Sequence, residues 1–581
     1  MERRVLIAIF LCFLFLYFWQ ALVVKPVPKL ARSATTGQQA GASRPQAAPG
    51  SPEAGSLQQA AEVPAPETPK APPPVATTLI GDTIERDIKV ETRDVIAVFT
   101  NRGARLKSWR LKRYLDRDRQ PQELIVRLDL QPLPFTLRVP DEQKTGLLND
   151  SLYVVAGAPT GDSAANSATR LRFEYSSASD HGELHAIKEF EIKPAGYVVV
   201  FSTNLATPYT VQWGPAVGDI GENSRYVKKA GGLFSQNMSI ARKAPKDFAA
   251  QPTYDGEFEF IGVDDNYFLV SALAPGPSKV TYQAVSIPPP ANSKDPARDL
   301  VAFSLEPARA SQALGFFAGP KDFDVLAAVG GNLREAIDFG WFKLIVIPLL
   351  KNLKRINQVV GNYGWSIIIL TVVLNALLFP FRHWSVVSMR KMQQIQPEVK
   401  SIQDRYAKYK TTDPARQKMN QELMALYKER GVNPALGCVP MLLTMPFLIA
   451  FYSLLSTAIE IRGAPFVGWI HDLSLHDPFY VTPVLMGGTM VWQQKLAPAT
   501  GVDPAQQKMM MLMPAVFTFM FLWAPAGVAV YWLMSNLWGI GQQYLTNYLL
   551  GPLVVRTVRP AAERQVKRVG AGKTEAAARE Q

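Results

Sequence analysis

The chain has 581 residues, 48% of them hydrophobic, and a formal net charge of +13. That length allows several domains. Its two cysteines, Cys12 and Cys438, sit in apolar runs with none between them, so the long intervening region has no disulfide framework. The positive charge suits nucleic acid, anionic lipid or a ribosomal surface, and its position along the chain decides among them.

Met1-Glu-Arg-Arg4 precedes an uncharged run from Val5 to Val24. A cleaved signal peptide has a shorter apolar core, about 7–15 residues. The segment 1–24 therefore reads as an uncleaved transmembrane anchor, with Arg3 and Arg4 holding its N-terminus in the cytoplasm. Cys12 lacks the small-residue approach of a lipoprotein site. Residues 25–78 are rich in Pro, Ala, Gln and Ser, and no aromatic occurs from Gln20 to Val98. Such a segment buries too little surface to offset its ordering entropy and reads as a disordered tether.

Residues 79–330 alternate apolar and polar side chains, as in Val95–Phe99, Leu171–Tyr175 and Tyr197–Phe201, with turn signals such as Asn101-Arg-Gly103 between them. They predict a large antiparallel β-sandwich outside the cytoplasm. Residues 331–355 surround a short apolar core, Leu344–Leu350, with charge, and predict an interfacial amphipathic helix. Five apolar stretches follow, at 356–381, 435–459, 478–494, 509–523 and 525–549, and none contains Asp, Glu, Lys, Arg or His. With the anchor they predict a polytopic α-helical membrane protein of about six spans, with a five-helix core over 356–550.

Charge tests the topology. Segment 382–432 has eleven basic and five acidic residues, and 552–581 has seven and three. Both fall on the predicted cytoplasmic side, so the tail 551–581 and both termini are placed inside. Segment 383–431 predicts a helical hairpin, with Asp413-Pro414 starting its second helix and Gly431 ending it. Lys391, Lys400, Arg405, Lys408, Lys410, Arg416 and Lys418 give it a basic exterior. That exterior is either a solvated surface or a docking site for a nascent chain, ribosomal RNA or lipid headgroups.

The spans are not uniformly apolar. Thr371 and Asn375 share a helix face, Gln493 and Gln494 end the third stretch, and Tyr531, Ser535, Asn536 and Gln542 recur at roughly helical spacing beside Trp532. Two readings stand: interhelical hydrogen bonds, or a hydrated groove for polar segments of a client, with Thr371, Asn375, Gln494, Tyr531, Trp532, Ser535 and Asn536 as its candidates. No Walker-type phosphate loop appears, and the spans lack the His and Asp of an intramembrane protease, so no enzyme activity or cofactor is expected. His471-Asp472 and His476-Asp477 lack a firm further ligand for a metal. His181 and His185 near Glu183 and Glu189 are weak grounds for acid–base chemistry. A small-solute transporter is the rival from another class; it predicts intramembrane charge or inverted repeats.

Ordered motifs resolve the choice. Gly361-Asn-Tyr-Gly-Trp-Ser366, Asn433–Phe447, Trp469-Ile-His-Asp-Leu473, Asp503-Pro-Ala-Gln-Gln-Lys508, Phe521–Gly527 and Tyr531–Asn536 together resemble the YidC insertases, relatives of the organellar oxidase-assembly and albino insertases. The resemblance is strong over 332–550. It implies insertion of transmembrane segments of new proteins into the inner membrane, alone or with the SecYEG translocon, and without a nucleotide. Nascent membrane proteins, the Sec translocon, lipids and the ribosome are the implied partners; DNA is not. The resemblance also implies an arginine four residues after Thr371. Asn375 stands there instead, so the expectation is a neutral groove, with charge kept at its cytoplasmic mouth.

Overall fold

The computed structural model describes residues 77–551 apart from 117, 129–130, 158–166, 180–181, 218–229, 288–297, 311, 410–412, 434–438 and 497–503. The anchor 1–24, nearly all of the tether and the tail beyond Gly551 lie outside the described residues, as do Cys12, Cys438, His181 and Lys410.

Alternation builds the first half of the molecule. The patterns at 95–99, 171–175 and 197–201 fall within or against the strands Val95–Thr100, Thr169–Ser179 and Val198–Thr203. In Val198–Thr203 every second residue is buried and those between are half-buried, the signature of a strand with one face on a core. Among the described residues, thirteen strands form one sheet and four form a second. The small sheet comprises Asp87–Glu91, Val95–Thr100, Arg105–Leu115 and Pro121–Glu123. Both sheets are antiparallel. They are joined through their inner faces: the Phe99 ring lies 4.8 Å from that of Phe190, and Trp109 Nε1 donates to the Ala318 carbonyl at 2.8 Å. The expected antiparallel β layer is therefore present.

Two cations buried in this layer have defined partners. Lys188 is 0% exposed, and its Nζ donates to the carbonyls of Gly103 at 2.6 Å and Phe135 at 3.1 Å. Lys321 Nζ lies 2.8 Å from Asp264 Oδ2, which also accepts from Arg242 at 2.8 Å. Two short helices accompany the strands, α1 (Glu142–Asp150) and α2 (Phe323–Val329), each capped by an aspartate side chain.

The second half is helical: α3 (Lys343–Val360), α4 (Tyr363–Gln394), α5 (Gln396–Arg405), α6 (Pro414–Glu429), α7 (Val439–Thr457), α8 (Val481–Leu496), α9 (Pro504–Phe521) and α10 (Ala526–Leu550). Three boundaries differ from expectation. The interfacial segment begins with two 3-10 turns, Leu333–Ala336 and Gly340–Phe342, and is α-helical only from Lys343. The apolar run 356–381 is not one helix. Gly361 adopts φ +72°, a left-handed conformation that ends α3, and Asn362 Oδ1 accepts from Trp365 N to start α4. Finally, α4 passes 381 without a break and ends at Gln394, so the first arm of the expected hairpin is largely its continuation. Among the described residues α4 is the one helix long and apolar enough to cross a bilayer by length and composition alone.

Beyond α4, α5 and α6 close on a small core of Ile395, Val399, Ile402, Met419, Leu423 and Val432. Arg430–Glu398 at 2.8 Å and Arg405–Glu422 at 2.9 Å tie its rim. Polar contacts also fasten the β layer to the helices. Asn266, in a β turn, donates to the Ser456 carbonyl at the end of α7 (2.9 Å), and Arg462 reaches Gln122 Oε1 (2.7 Å) and the Leu115 carbonyl (2.9 Å). Lys354 of α3 meets three carboxylates: Asp324 at 2.5 Å, Glu460 at 3.1 Å and Asp322 at 3.3 Å. Burial pulls the Lys354 ammonium down, and the three carboxylates more than offset it, leaving its pKa above the ordinary value. Burial pushes Glu460 up, and Lys354 opposes that only in part.

Candidate functional site: a polar cavity among the helices

Small residues and one aromatic stack bring the helices together. On α10, a Cβ at Gly539 would lie 2.4 Å from the Gln493 amide nitrogen, so glycine leaves room there for the Gln493 side chain of α8. Tyr531 of α10 stacks on Phe451 of α7 with ring centroids 4.2 Å apart. Asn536 Nδ2 donates to Thr489 Oγ1 at 3.1 Å and, at 3.3 Å, to the Met486 carbonyl, binding α10 to α8.

These contacts leave a cavity of about 330 Å³, lined among others by Arg382, Gln493, Tyr531, Ser535, Asn536 and Gln542. Among the described residues its lining holds no Asp or Glu. Apolar walls come from Val386, Leu448 and Trp532, the last packed edge-on against Phe521 at 4.9 Å. The arrangement combines neutral hydrogen-bonding groups and one cation with greasy walls. It can hydrate a polar peptide segment beside an apolar one.

Of the seven candidate groove residues, the structure brings four together here: Tyr531, Trp532, Ser535 and Asn536. The other three are elsewhere. Thr371 is fully buried, and its Oγ1 donates to the Ile367 carbonyl one turn back at 2.6 Å. Asn375 is also buried, and its Nδ2 donates to the Thr371 carbonyl at 2.8 Å. Both side chains satisfy themselves on α4 and do not line the cavity. Gln494 is replaced in the lining by its neighbour Gln493, because one step along a helix turns a side chain by about 100°.

The cavity also holds a charge. Arg382 lies one residue past the apolar stretch 356–381 and so reads in sequence as an interfacial charge. Because α4 does not stop at 381, Arg382 falls two turns beyond Asn375 and lines the cavity. The available signal was the spacing of seven from Asn375. A second basic residue of α4, Arg390, is 9% exposed and fastens the end of α10, donating to Asn547 Oδ1 at 2.6 Å and the Gly551 carbonyl at 3.0 Å.

The basic hairpin residues divide. Lys391, Lys400, Lys408 and Lys418 are exposed. Arg405 pairs with Glu422, and Arg416 folds back on the Tyr409 carbonyl at 3.2 Å. In the loop between α7 and α8, Asp477 caps the start of α8, accepting from Thr482 N, Phe479 N and Trp469 Nε1 at 2.8–3.0 Å. Burial pushes its carboxyl up, but these donors outweigh burial and hold it below the usual range. His185 forms an exposed pair with Glu174 at 2.9 Å.

The chain is similar to known proteins along most of its length. Residues 87–352 match the family described as YidC periplasmic domain, and 355–551 match the 60Kd inner membrane protein family. The membrane protein insertase YidC of Geobacter metallireducens is 36% identical, covering 94% of this chain and 98% of its own. The chain belongs to the YidC family of membrane protein insertases. A second YidC, from Geobacter sulfurreducens, is 40% identical over 60% of this chain and 64% of its own. A crystal structure of an active YidC insertase with its first transmembrane domain resolved is 18% identical, covers 82% of this chain and 95% of that one, and superposes with a TM-score of 0.34. The match to the 60Kd inner membrane protein family over 355–551 contains every residue of the cavity lining.

Proposed function

We propose that the chain inserts transmembrane segments of newly made proteins into the inner membrane, with the cavity as the groove that receives the client's polar part. The observation that carries this reading is near full-length similarity, at 36% identity, to a membrane protein insertase. The cavity supports it with a physical route. A polar segment entering bare hydrocarbon meets a desolvation cost of several kcal/mol for each unpaired group. Hydroxyls and amides on α8 and α10 lower that cost while the client's apolar segment gains about 25 cal/mol for each Å² transferred to lipid. No nucleotide or cofactor enters this scheme, and the protein is not an enzyme. A solute transporter has no comparable support.

In this reading the protein has about six spans: the anchor 1–24 and five core helices, with α4, α7, α8, α9 and α10 as those five. The tether 25–78 leads to the periplasmic domain 79–330, α3 lies at the membrane surface, and the core occupies 356–550. The α5–α6 hairpin, the tail 551–581 and both termini are cytoplasmic. The exposed lysines of the hairpin meet the ribosome, the nascent chain or lipid headgroups, and SecYEG is a partner for some clients.

The test is depletion of the resident insertase in a host cell and replacement by this chain, scored by protease protection of a small single-span client. Restored insertion is the expected outcome. A client left in the cytoplasm, with the protein folded in the membrane, would overturn the proposal.

A further inference from the structure

The last residues to line the cavity are Val386 on α4 and Gln543 on α10. One turn beyond each, polar contacts join the two helices. Arg390 of α4 is buried, and its guanidinium donates to Asn547 Oδ1 at 2.6 Å and to the carbonyl of Gly551, just past the last turn of α10, at 3.0 Å. The last carbonyls of a helix lack amide partners, and a cation there is favourable. Asn547 Oδ1 accepts a second hydrogen bond, from Gln543 Nε2 at 3.2 Å. A chain of contacts thus runs from Arg390 through Asn547 to a side chain on the cavity wall. His383 Nδ1 and Thr546 Oγ1 lie 3.5 Å apart, which shows how near α4 and α10 run here. The opposite face of the last turns of α10 is open: Tyr544, Leu545, Tyr548 and Leu549 are exposed.

We propose that Arg390 is a positioning residue for insertion. It clamps the end of α10 to α4 and, through Asn547, orients Gln543, so that the cavity keeps a defined width and wall. Arg390 stands one turn beyond the lining and acts on the client through α10. Apolar helix faces in a bilayer gain little from each other, because lipid is as apolar as they are, so directional polar contacts set their spacing. A guanidinium suits the task, since its fixed fork reaches two acceptors at once, whereas an ammonium is a single compact charge. Without the clamp the last turns of α10 are free to leave α4, Gln543 loses its fixed partner, and a polar segment meets a cavity of no set shape. The proposal rests on the reading of the cavity as the client groove.

The experiment uses the full-length protein in membrane vesicles from the depleted host and scores protease protection of one single-span client. Arg390→Met keeps the stem and removes every donor; it lowers the insertion rate about tenfold, the size expected for a charged hydrogen-bonded contact. Arg390→Lys recovers part of the loss. Asn547→Leu lowers the rate about threefold, and added to Arg390→Met it costs less than about twofold more, because the two residues act as one unit. The deciding measurement is rescue. In a Cys12→Ser, Cys438→Ser background, His383→Cys and Thr546→Cys are joined by a short thiol cross-linker, which ties α4 to α10 covalently. Cross-linking brings Arg390→Met to within about twofold of the cross-linked parent with Arg390 intact. Insertion at the wild-type rate by Arg390→Met overturns the proposal. So does cross-linking that restores the melting temperature of Arg390→Met but leaves its insertion low, the result expected of a purely structural residue. A cross-linked parent that no longer inserts also overturns it, since α4 and α10 must then part during insertion. If the wild-type protein does not insert the client, the insertase reading itself fails, and the two failures are thereby distinguished.

Discussion

The β layer and the cavity among the helices treat buried cations in opposite ways. In the β layer Lys188 is wholly enclosed and pinned to two carbonyls, while Lys321 and Arg242 converge on Asp264. Around the cavity, Arg382 has no counter-ion among the described residues and Gln542 leaves a donor open. Saturated buried charge specifies one arrangement and resists change; open donors leave room for a visiting group. The first kind of polarity holds a scaffold, and the second suits the proposed client groove.

Substitutions that invert this contrast would break it. Lys321→Met removes the partner enclosed with Asp264 and should destabilise the folded protein by about 3 kcal/mol, even with Arg242 in place; thermal unfolding in detergent measures it. Lys354→Met frees three carboxylates at the seam between the β layer and α3, and a loss of about 2 kcal/mol is expected. Hydrogen exchange should locate that loss at α2 and Glu460, and no change there would mean the seam rests on apolar contacts instead. Arg382→Met should do the reverse of Lys321→Met. Stability stays level or rises by about 1 kcal/mol, because an unpaired charge is removed; a large drop in the melting temperature would show that Arg382 is a structural group.

The smallest effect concerns pH. Glu460 has a folded-state pKa above its ordinary 4.5, so the folded protein holds this proton more tightly than the unfolded chain. Its contribution to stability is therefore present below about 4.5 and is lost as pH rises through the folded pKa. Melting temperatures of wild-type and Glu460→Gln proteins, compared from pH 4.5 to 7, should diverge in that direction. Parallel curves would place Glu460 in water.

Much of the fold was legible because its signals are local. Alternation located the strands around Phe99, Tyr175 and Phe201, and Asp413-Pro414 and Gly431 marked the ends of α6. The apolar stretches located α7 to α10 within a few residues, since chain buried in an apolar setting must itself be apolar. The cavity was half legible. Tyr531, Trp532, Ser535 and Asn536 are close together on one helix, and their convergence follows from periodicity. Thr371 and Asn375 show the same periodicity and yet turn into α4, because a short polar side chain on a helix can satisfy itself on the carbonyl one turn back.

The chain alone determined that this is a membrane insertase with an antiparallel β layer before a helical core, since composition, period and ordered motifs are properties of the sequence. Tertiary structure decided where the charge sits. Apolarity placed Arg382 just outside a span, and nothing local to residue 382 says otherwise. It enters the cavity because α4 runs unbroken to Gln394 and because α8 and α10, tied through Asn536, close around the space it faces. Which side chains share a cavity depends on how helices distant in sequence approach one another, and that is set by packing rather than by any residue's own preference.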